Sequence, residues 1–161
     1  MNYTKELKIT KASSLENFND GGNLFKEYAK AINFDAGFKD FTAELSSLAK
    51  RYSAPQGALL LAYHNNKAVG CIAILQMRQG IGELKRFYVK PAFRQYKIGA
   101  QLLAAVITTA KELQFHHLRL EVIPNLTKAK ALYHSFGFYT IEPYQVVVME
   151  GTTYMEKNLL N

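Results

Sequence analysis

Hydrophobic positions recur along this chain with two different periods. Where they return every three or four residues they predict amphipathic helices. Leu15, Phe18, Leu24, Phe25, Tyr28, Ala29 and Ile32 form one such stripe. Ser14 stands ahead of it as an N-cap, and Gly21-Gly22 inside it predict a break or bend. Phe38, Phe41, Leu45, Leu48 and Ala49 predict a second helix over 38–52. Ile98, Leu102, Ala105, Val106, Thr109, Ala110 and Leu113 predict a third over 98–113. A shorter helix over 126–135 ends near Gly137, a residue suited to the left-handed C′ position. Elsewhere the pattern is continuous. Residues 58–64 and 67–77 are apolar runs joined by Asn65-Asn66, which tolerate the positive φ of a tight hairpin. Such runs predict strands covered on both faces. Further strands are predicted over 8–11, 83–89, 118–123, 139–141 and 152–158, with a turn over 79–82 and a loop over 90–97. The order β-α-α-β-β-β-α-β-α-β-β makes this an α/β (α+β) chain with a mixed sheet flanked by helices.

Composition narrows the class. The 161 residues give room for one core and predict a single domain over 1–161. A chain that is 48% apolar and 20% charged is too apolar to be disordered. The longest apolar runs, 58–63 and 68–75, fall far short of the roughly 18 residues that span a bilayer. The first five residues lack the apolar stretch of a secretory signal. Cys71 is the one cysteine, which excludes an internal disulfide framework and a multi-cysteine zinc site. These features predict a soluble, cytoplasmic protein with no metal and no membrane partner. The net charge of +7 fits an anionic partner or simply a solvated basic surface. A nucleic-acid partner is not expected. Basic residues never exceed two in a row, and the helix over 98–113 carries only Lys111.

The segment over 83–99 is the richest in chemistry: a strand, a loop, then a helix start. The first amides of a helix have no internal partner, and the helix dipole adds positive charge there. That combination suits phosphate. Arg94 and Lys97 add full charges, and Gly99 allows close backbone approach. Lys97 is expected in ordinary right-handed or helix-start geometry. Other candidates carry less. Cys71 lies in an apolar strand, where a buried thiol is inert. His116-His117 lack metal-spaced partners, and His64 and His134 read as surface residues. Phe34, Phe38 and Phe41 suit a core or a substrate wall, as does Tyr144.

The motifs in this segment resemble those of the GCN5-related N-acetyltransferases (GNAT). That family's loop reads Arg/Gln-x-x-Gly-x-Gly/Ala, and Arg94-Gln95-Tyr96-Lys97-Ile98-Gly99 matches at Arg94 and Gly99, with Lys97 in place of the first glycine. Pro91 and Tyr88-Val89 also fit. Ala131-Leu132-Tyr133-His134-Ser135-Phe136-Gly137-Phe138 is similar to the family's Ala-Leu-Tyr-x-x-x-Gly-Phe. The matches extend over nearly the whole chain, least over the first 50 residues. The resemblance implies a sheet of about seven strands with about four helices and a splayed strand pair. It implies acetyl-CoA as co-substrate, held by Phe87, Tyr88, Val89, Arg94, Gln95, Tyr96, Lys97, Ile98, Gly99, Ala100, Asn125 and Lys128. It also allows a homodimer.

It further implies acetyl transfer to a primary amine by direct attack in a ternary complex. Glu83 stands where the family places the carboxylate that deprotonates the amine, with Glu121 as the next candidate. Strand alternation puts Glu83, Lys85, Phe87 and Val89 on one face. An ion pair of Glu83 with Lys85 or Arg86 is the structural alternative. Tyr133 occupies the family's tyrosine position, as acid toward the departing thiolate. Asn125 would cap the short helix or bond the pantetheine. A CoA-binding module without turnover is the competing reading, since Gln95 and Lys97 depart from the loop pattern.

Overall fold

The β2–β3 hairpin, Gly57–His64 and Lys67–Arg78, lies near the middle of the sheet and divides the interior in two. Asn65 and Asn66 turn it with φ of 50° and 66°, the left-handed pair that a type I′ turn requires. In this computed structural model residues 6–32, 38–147 and 149–160 are described, without the side chains of Phe38 and Lys39. Leu59, Leu61, Cys71 and Ala73 face one core, with Phe18, Leu24, Phe25, Phe41, Leu48 and Tyr52. Leu60, Ala62, Ile72 and Ile74 face the other, with Leu102, Leu103, Val106, Leu118, Leu120 and Met155. Both faces of the hairpin are therefore dry, which is why its strands read as unbroken apolar runs.

The remaining elements are β1 (Leu7–Lys11), α1 (Leu15–Ala31), α2 (Phe38–Leu45), α3 (Leu48–Arg51), β4 (Ile81–Val89), a 3-10 helix (Pro91–Tyr96), α4 (Ile98–Glu112), β5 (His117–Val122), α5 (Thr127–Ser135), β6 (Tyr139–Ile141) and β7 (Thr153–Asn158). The seven strands form one sheet in the order β1-β2-β3-β4-β5-β7-β6. All pairs are antiparallel except β4 with β5. Those two are in register only where Ile81, Gly82 and Glu83 meet His117, Leu118 and Arg119. Beyond Glu83 they diverge, so the expected splayed pair is present. Among the described residues no helix is long and apolar enough to cross a membrane.

Two helical expectations need correction. Gly21-Gly22 neither break nor bend α1 out of its helical run. Both are buried, and a Cβ on Gly21 would run into Leu59 while one on Gly22 would press within 3.2 Å of Leu48. Gly21 lets the helix lie close against the sheet, and Gly22 lets it lie close against α3. Conversely, the helix expected over 38–52 is two helices. Ser46 and Ser47 each donate a 2.8 Å hydroxyl hydrogen bond to the Ala43 carbonyl, an alternative partner that ends α2. The caps agree with the sequence. Ser14 and Asn17 form a reciprocal capping box. Gly137 (φ 90°) closes α5, with Phe138 N–H reaching Tyr133 O at 3.1 Å and Gly137 N–H reaching His134 O at 3.0 Å.

A third correction concerns β4. Cys71 pairs with Tyr88 and Ala73 with Lys85, so Ile72 alone faces both Arg86 and Phe87. This is a β-bulge, and Arg86 adopts φ 57° to make it. The extra residue reverses the alternation. Lys85 and Glu83, opposite Ala73 and Leu75, belong to the face of the α1–α3 core, whereas Phe87 and Val89 pack against the α4 core. Glu83 and Lys85 therefore do not share a face with Phe87 and Val89.

Arg86 is also not a partner of Glu83. Its Nε and Nη2 donate to Glu44 on α2 at 2.9 and 2.7 Å. Glu44 is only 2% exposed; it also accepts from Tyr52 Oη at 3.1 Å and lies 3.8 Å from Arg51. Burial raises the Glu44 pKa, but the hydrogen bonds and charge of Arg86 outweigh it and hold the carboxyl below the usual value of 4.5. A carboxylate depressed in the folded state stabilises fully above its unfolded pKa, and loses that contribution as pH falls through the folded value. Glu44→Gln should therefore cost about 3–5 kcal/mol at neutral pH by leaving Arg86 buried without its countercharge. Its stability should also fall less than wild type's between pH 5 and the acid limit. Urea unfolding across that pH range measures both effects.

Candidate active site

The divergence of β4 from β5 opens a cleft lined by Tyr28, Glu83, Lys85, Arg86, Phe87, Glu121, Leu126 and Tyr133, among others. One wall is the bulged strand β4. The other is the end of β5 and the start of α5. Since β4–β5 pairing stops at Glu83, the β4 backbone beyond it has an edge turned to the cleft. Lys90 N–H crosses to Val69 O at 2.8 Å. By strand alternation, Val89 turns its own N–H and C=O the other way, toward β5.

Glu83 is half-buried and accepts a 2.8 Å hydrogen bond from Tyr144 Oη, in the segment between β6 and β7. Burial, then the Glu83 carboxylate, raises the Tyr144 pKa far above the usual phenol range, so Tyr144 stays a donor. Its ring stacks edge-on against Tyr154 at 5.0 Å and lies 5.5 Å from the Arg119 guanidinium. Glu121 is exposed on the β5 wall and accepts from Gln145 Nε2 at 2.8 Å. Across the cleft Tyr133 is 6% exposed, between Phe87 (6.0 Å) and Phe138 (5.6 Å). Burial pushes its phenol strongly up. Its hydroxyl has no hydrogen-bond partner among the described residues.

The residues expected at a cofactor divide into those that approach the cleft and those that do not. Phe87 lines it; Tyr88 turns to the opposite face, 6.1 Å from Tyr28. Arg94 is exposed, with its Nε donating to Val89 O at 2.8 Å and its guanidinium 5.7 Å from the Tyr88 ring. Gln95 is exposed, while Tyr96 is half-buried, its ring against Phe93 at 6.4 Å. Ile98 is a core residue, so only its backbone is available. Ala100 is half-buried. The space beside Gly99 belongs to the Phe87 ring, 3.2 Å from where a Cβ would stand, so this glycine permits α4 to approach β4.

Lys97 departs from expectation. Its φ of 58° and ψ of 26° are left-handed, the conformation a glycine in that place adopts without strain. It precedes α4 without a side-chain cap, and the first helical amide to find the i−4 carbonyl is that of Gln101, on Lys97 O at 3.2 Å. The amides of Ile98, Gly99 and Ala100 remain without such partners. Asn125 is exposed at φ 77° and caps nothing, because Leu126 holds the N-cap position of α5. Lys128 is exposed on the first turn of that helix.

Among the other candidates, Phe41 is in the core under Arg86, 5.6 Å from its guanidinium, and not in a substrate wall. Phe34 and the side chain of Phe38 lie outside the described residues. His64 is not a surface residue: its side chain is 12% exposed, 3.2 Å from Glu6 and against Phe93. Cys71 is buried with its thiol pKa raised, and donates to Arg86 O at 3.2 Å. The Glu44–Arg86 pair escaped the sequence reading. The signal was there, since Glu44 falls on the stripe of Phe41, Leu45 and Leu48, where a charge demands a partner.

Known proteins are similar to this chain in sequence and fold. The model of the acetyltransferase (GNAT) family matches residues 23–138. An uncharacterized N-acetyltransferase of Schizosaccharomyces pombe is 30% identical over 151 residues, 92% of this chain and 93% of its own. A GNAT acetyltransferase of Staphylococcus aureus superposes with a TM-score of 0.79 at 23% identity, covering 95% of this chain and 99% of that one. An acetyltransferase of Salmonella typhimurium, solved with its cofactor acetyl-CoA, superposes with a TM-score of 0.70 at 17% identity, covering 96% and 94%. With the family model spanning most of the sequence and the splayed sheet of the fold in place, this chain belongs to the GNAT family of acetyl-CoA-dependent acetyltransferases.

Proposed function

We propose that the cleft transfers an acetyl group from acetyl-CoA directly to a primary amine, with Glu83 as base and Tyr133 as acid. The observation that carries this reading is the placement of a carboxylate and a buried phenol on opposite walls of the cleft between β4 and β5. The residues present fit the co-substrate. The uncapped amides of Ile98, Gly99 and Ala100, beside Arg94 and Lys97, suit its phosphates. The open edge at Phe87–Val89 suits its pantetheine amides, and Asn125 and Lys128, exposed at the start of α5, are the candidates to meet its outer parts. Bound there, acetyl-CoA supplies the activated acyl group.

The chain's residues supply the proton movements. Glu83 takes a proton from the ammonium, with Tyr144 holding the carboxylate in place. The nitrogen then attacks the acyl carbon, an N–C bond forms and the C–S bond breaks. Val89 N–H lies on the edge where it can bond the acyl oxygen. Tyr133, whose raised pKa keeps it protonated, gives its proton to the departing sulfur and regains one when the acylated nitrogen sheds its second proton, while Glu83 returns its own to solvent. The buried Cys71 thiol, occupied with Arg86 O, argues against a covalent acyl-enzyme. A CoA-release assay over a panel of amines tests the reading. Acetyl-CoA binding by calorimetry without release from any amine would favour a CoA-binding module instead.

Three variants separate the roles. Tyr133→Phe should bind acetyl-CoA as wild type does and lower kcat by about 10²–10⁴-fold. Stopped-flow and steady-state rates measure it, and an unchanged kcat returns Tyr133 to packing alone. Glu83→Gln should lose most rate at moderate pH and recover part of it in alkali, where free amine is abundant; a pH–rate profile like wild type's would move the base to Glu121. Lys97→Gly should relieve left-handed strain and raise stability by about 1 kcal/mol. The same change should flatten the salt dependence of acetyl-CoA affinity, because one cation is gone from the loop. Thermal melts and titrations at two ionic strengths check both.

A further inference from the structure

One cation on the wall of the cleft, Lys85, has no direct ion-pair partner among the described residues. Arg86 and Arg51 share one carboxylate, Glu44, at 2.7 and 3.8 Å. Lys85 lies beside them, half-buried, and lines the cleft. Among the described residues no carboxylate lies within ion-pair distance of Lys85 Nζ. Glu44 is filled by two guanidiniums and Tyr52, and Glu83 is bonded to Tyr144. A half-buried ammonium left in this way is costly unless something from outside pairs with it.

Lys85 also stands two residues from Glu83 on the same face of β4. Two strand residues so placed are about 6.7 Å apart. Two opposite charges at that separation, both facing one cleft, match a ligand carrying an ammonium and an anion a few bonds apart. We infer that the acceptor is an amino-carboxylate, its amine at Glu83 and its carboxylate paired with Lys85. This rests on the cleft being the acceptor site. The electrostatics point the same way: burial, then repulsion by Arg86, lowers the Lys85 pKa although Glu44 and Glu83 pull it up, and a further carboxylate in direct contact would oppose the lowering.

The test is equilibrium binding to the full chain saturated with CoA. Calorimetry compares glycine, alanine, leucine, methionine, phenylalanine and glutamate, each against its own amide. At least one acid should bind about tenfold more tightly than its amide, as expected for a partly buried charge pair. Lys85→Met should erase that margin, and Lys85→Arg, which keeps the cation, should retain it; melting curves verify that both fold. Equal binding of acid and amide, binding of neither, or a margin that survives in Lys85→Met overturns the inference. Acetylation of Lys85 itself on incubation with acetyl-CoA, read by mass spectrometry, also overturns it. Glu83→Gln separates this inference from the assignment of the base. A lost rate belongs to Glu83, whereas the acid–amide margin belongs to Lys85.

Discussion

The geometry of the cleft depends on one buried ion pair. Arg86 stands at the bulge of β4 in a left-handed conformation that costs a non-glycine residue about 1–2 kcal/mol. Its guanidinium meets Glu44 through two parallel hydrogen bonds, and Tyr52 completes the carboxylate. A fork matched to a carboxylate in this way fixes direction as well as distance. The pair therefore ties α2 to the strand at the residue where the strand changes face. Below the bulge the odd-numbered residues Glu83 and Lys85 take the face of the α1–α3 core, and above it the odd-numbered Phe87 and Val89 take that of the α4 core. The opening between β4 and β5 begins on the same stretch, so the anchor and the cleft are two sides of one distortion.

That coupling explains what was readable in the sequence. The hairpin, the sheet's alternation of elements and the terminal glycine of α5 were legible because each leaves a local trace: an apolar run, an Asn-Asn pair, a stripe followed by glycine. The bulge left none. Arg86 is neither glycine nor asparagine, and Glu83-Leu84-Lys85-Arg86-Phe87 reads as an uninterrupted strand. The partner that holds Arg86 there lies 42 residues away, on another element. Lys97 shows the same blindness. A lysine gives no sign of left-handed geometry, yet it keeps the backbone shape that a glycine would take there.

The candidate site was legible in its parts and less so in its arrangement. Glu83 and Tyr133 come to opposite walls of one cleft, as the family resemblance implies. The Tyr144–Glu83 hydrogen bond and the Glu44–Arg86 pair were recognised only from the fold, because each joins residues distant in sequence. Tyr144 reaches Glu83 across 61 residues.

The sheet's outer rims close the account. β1 and β6 are the edge strands, five and three residues long. The first carries Lys8 and Lys11, and charged or very short rims discourage a second chain from pairing there. The splay between β4 and β5 creates another edge, inside the sheet and sheltered by α5. Backbone that would invite aggregation on a rim thereby lies inside the fold, between two strands, where a second chain cannot add itself to the sheet.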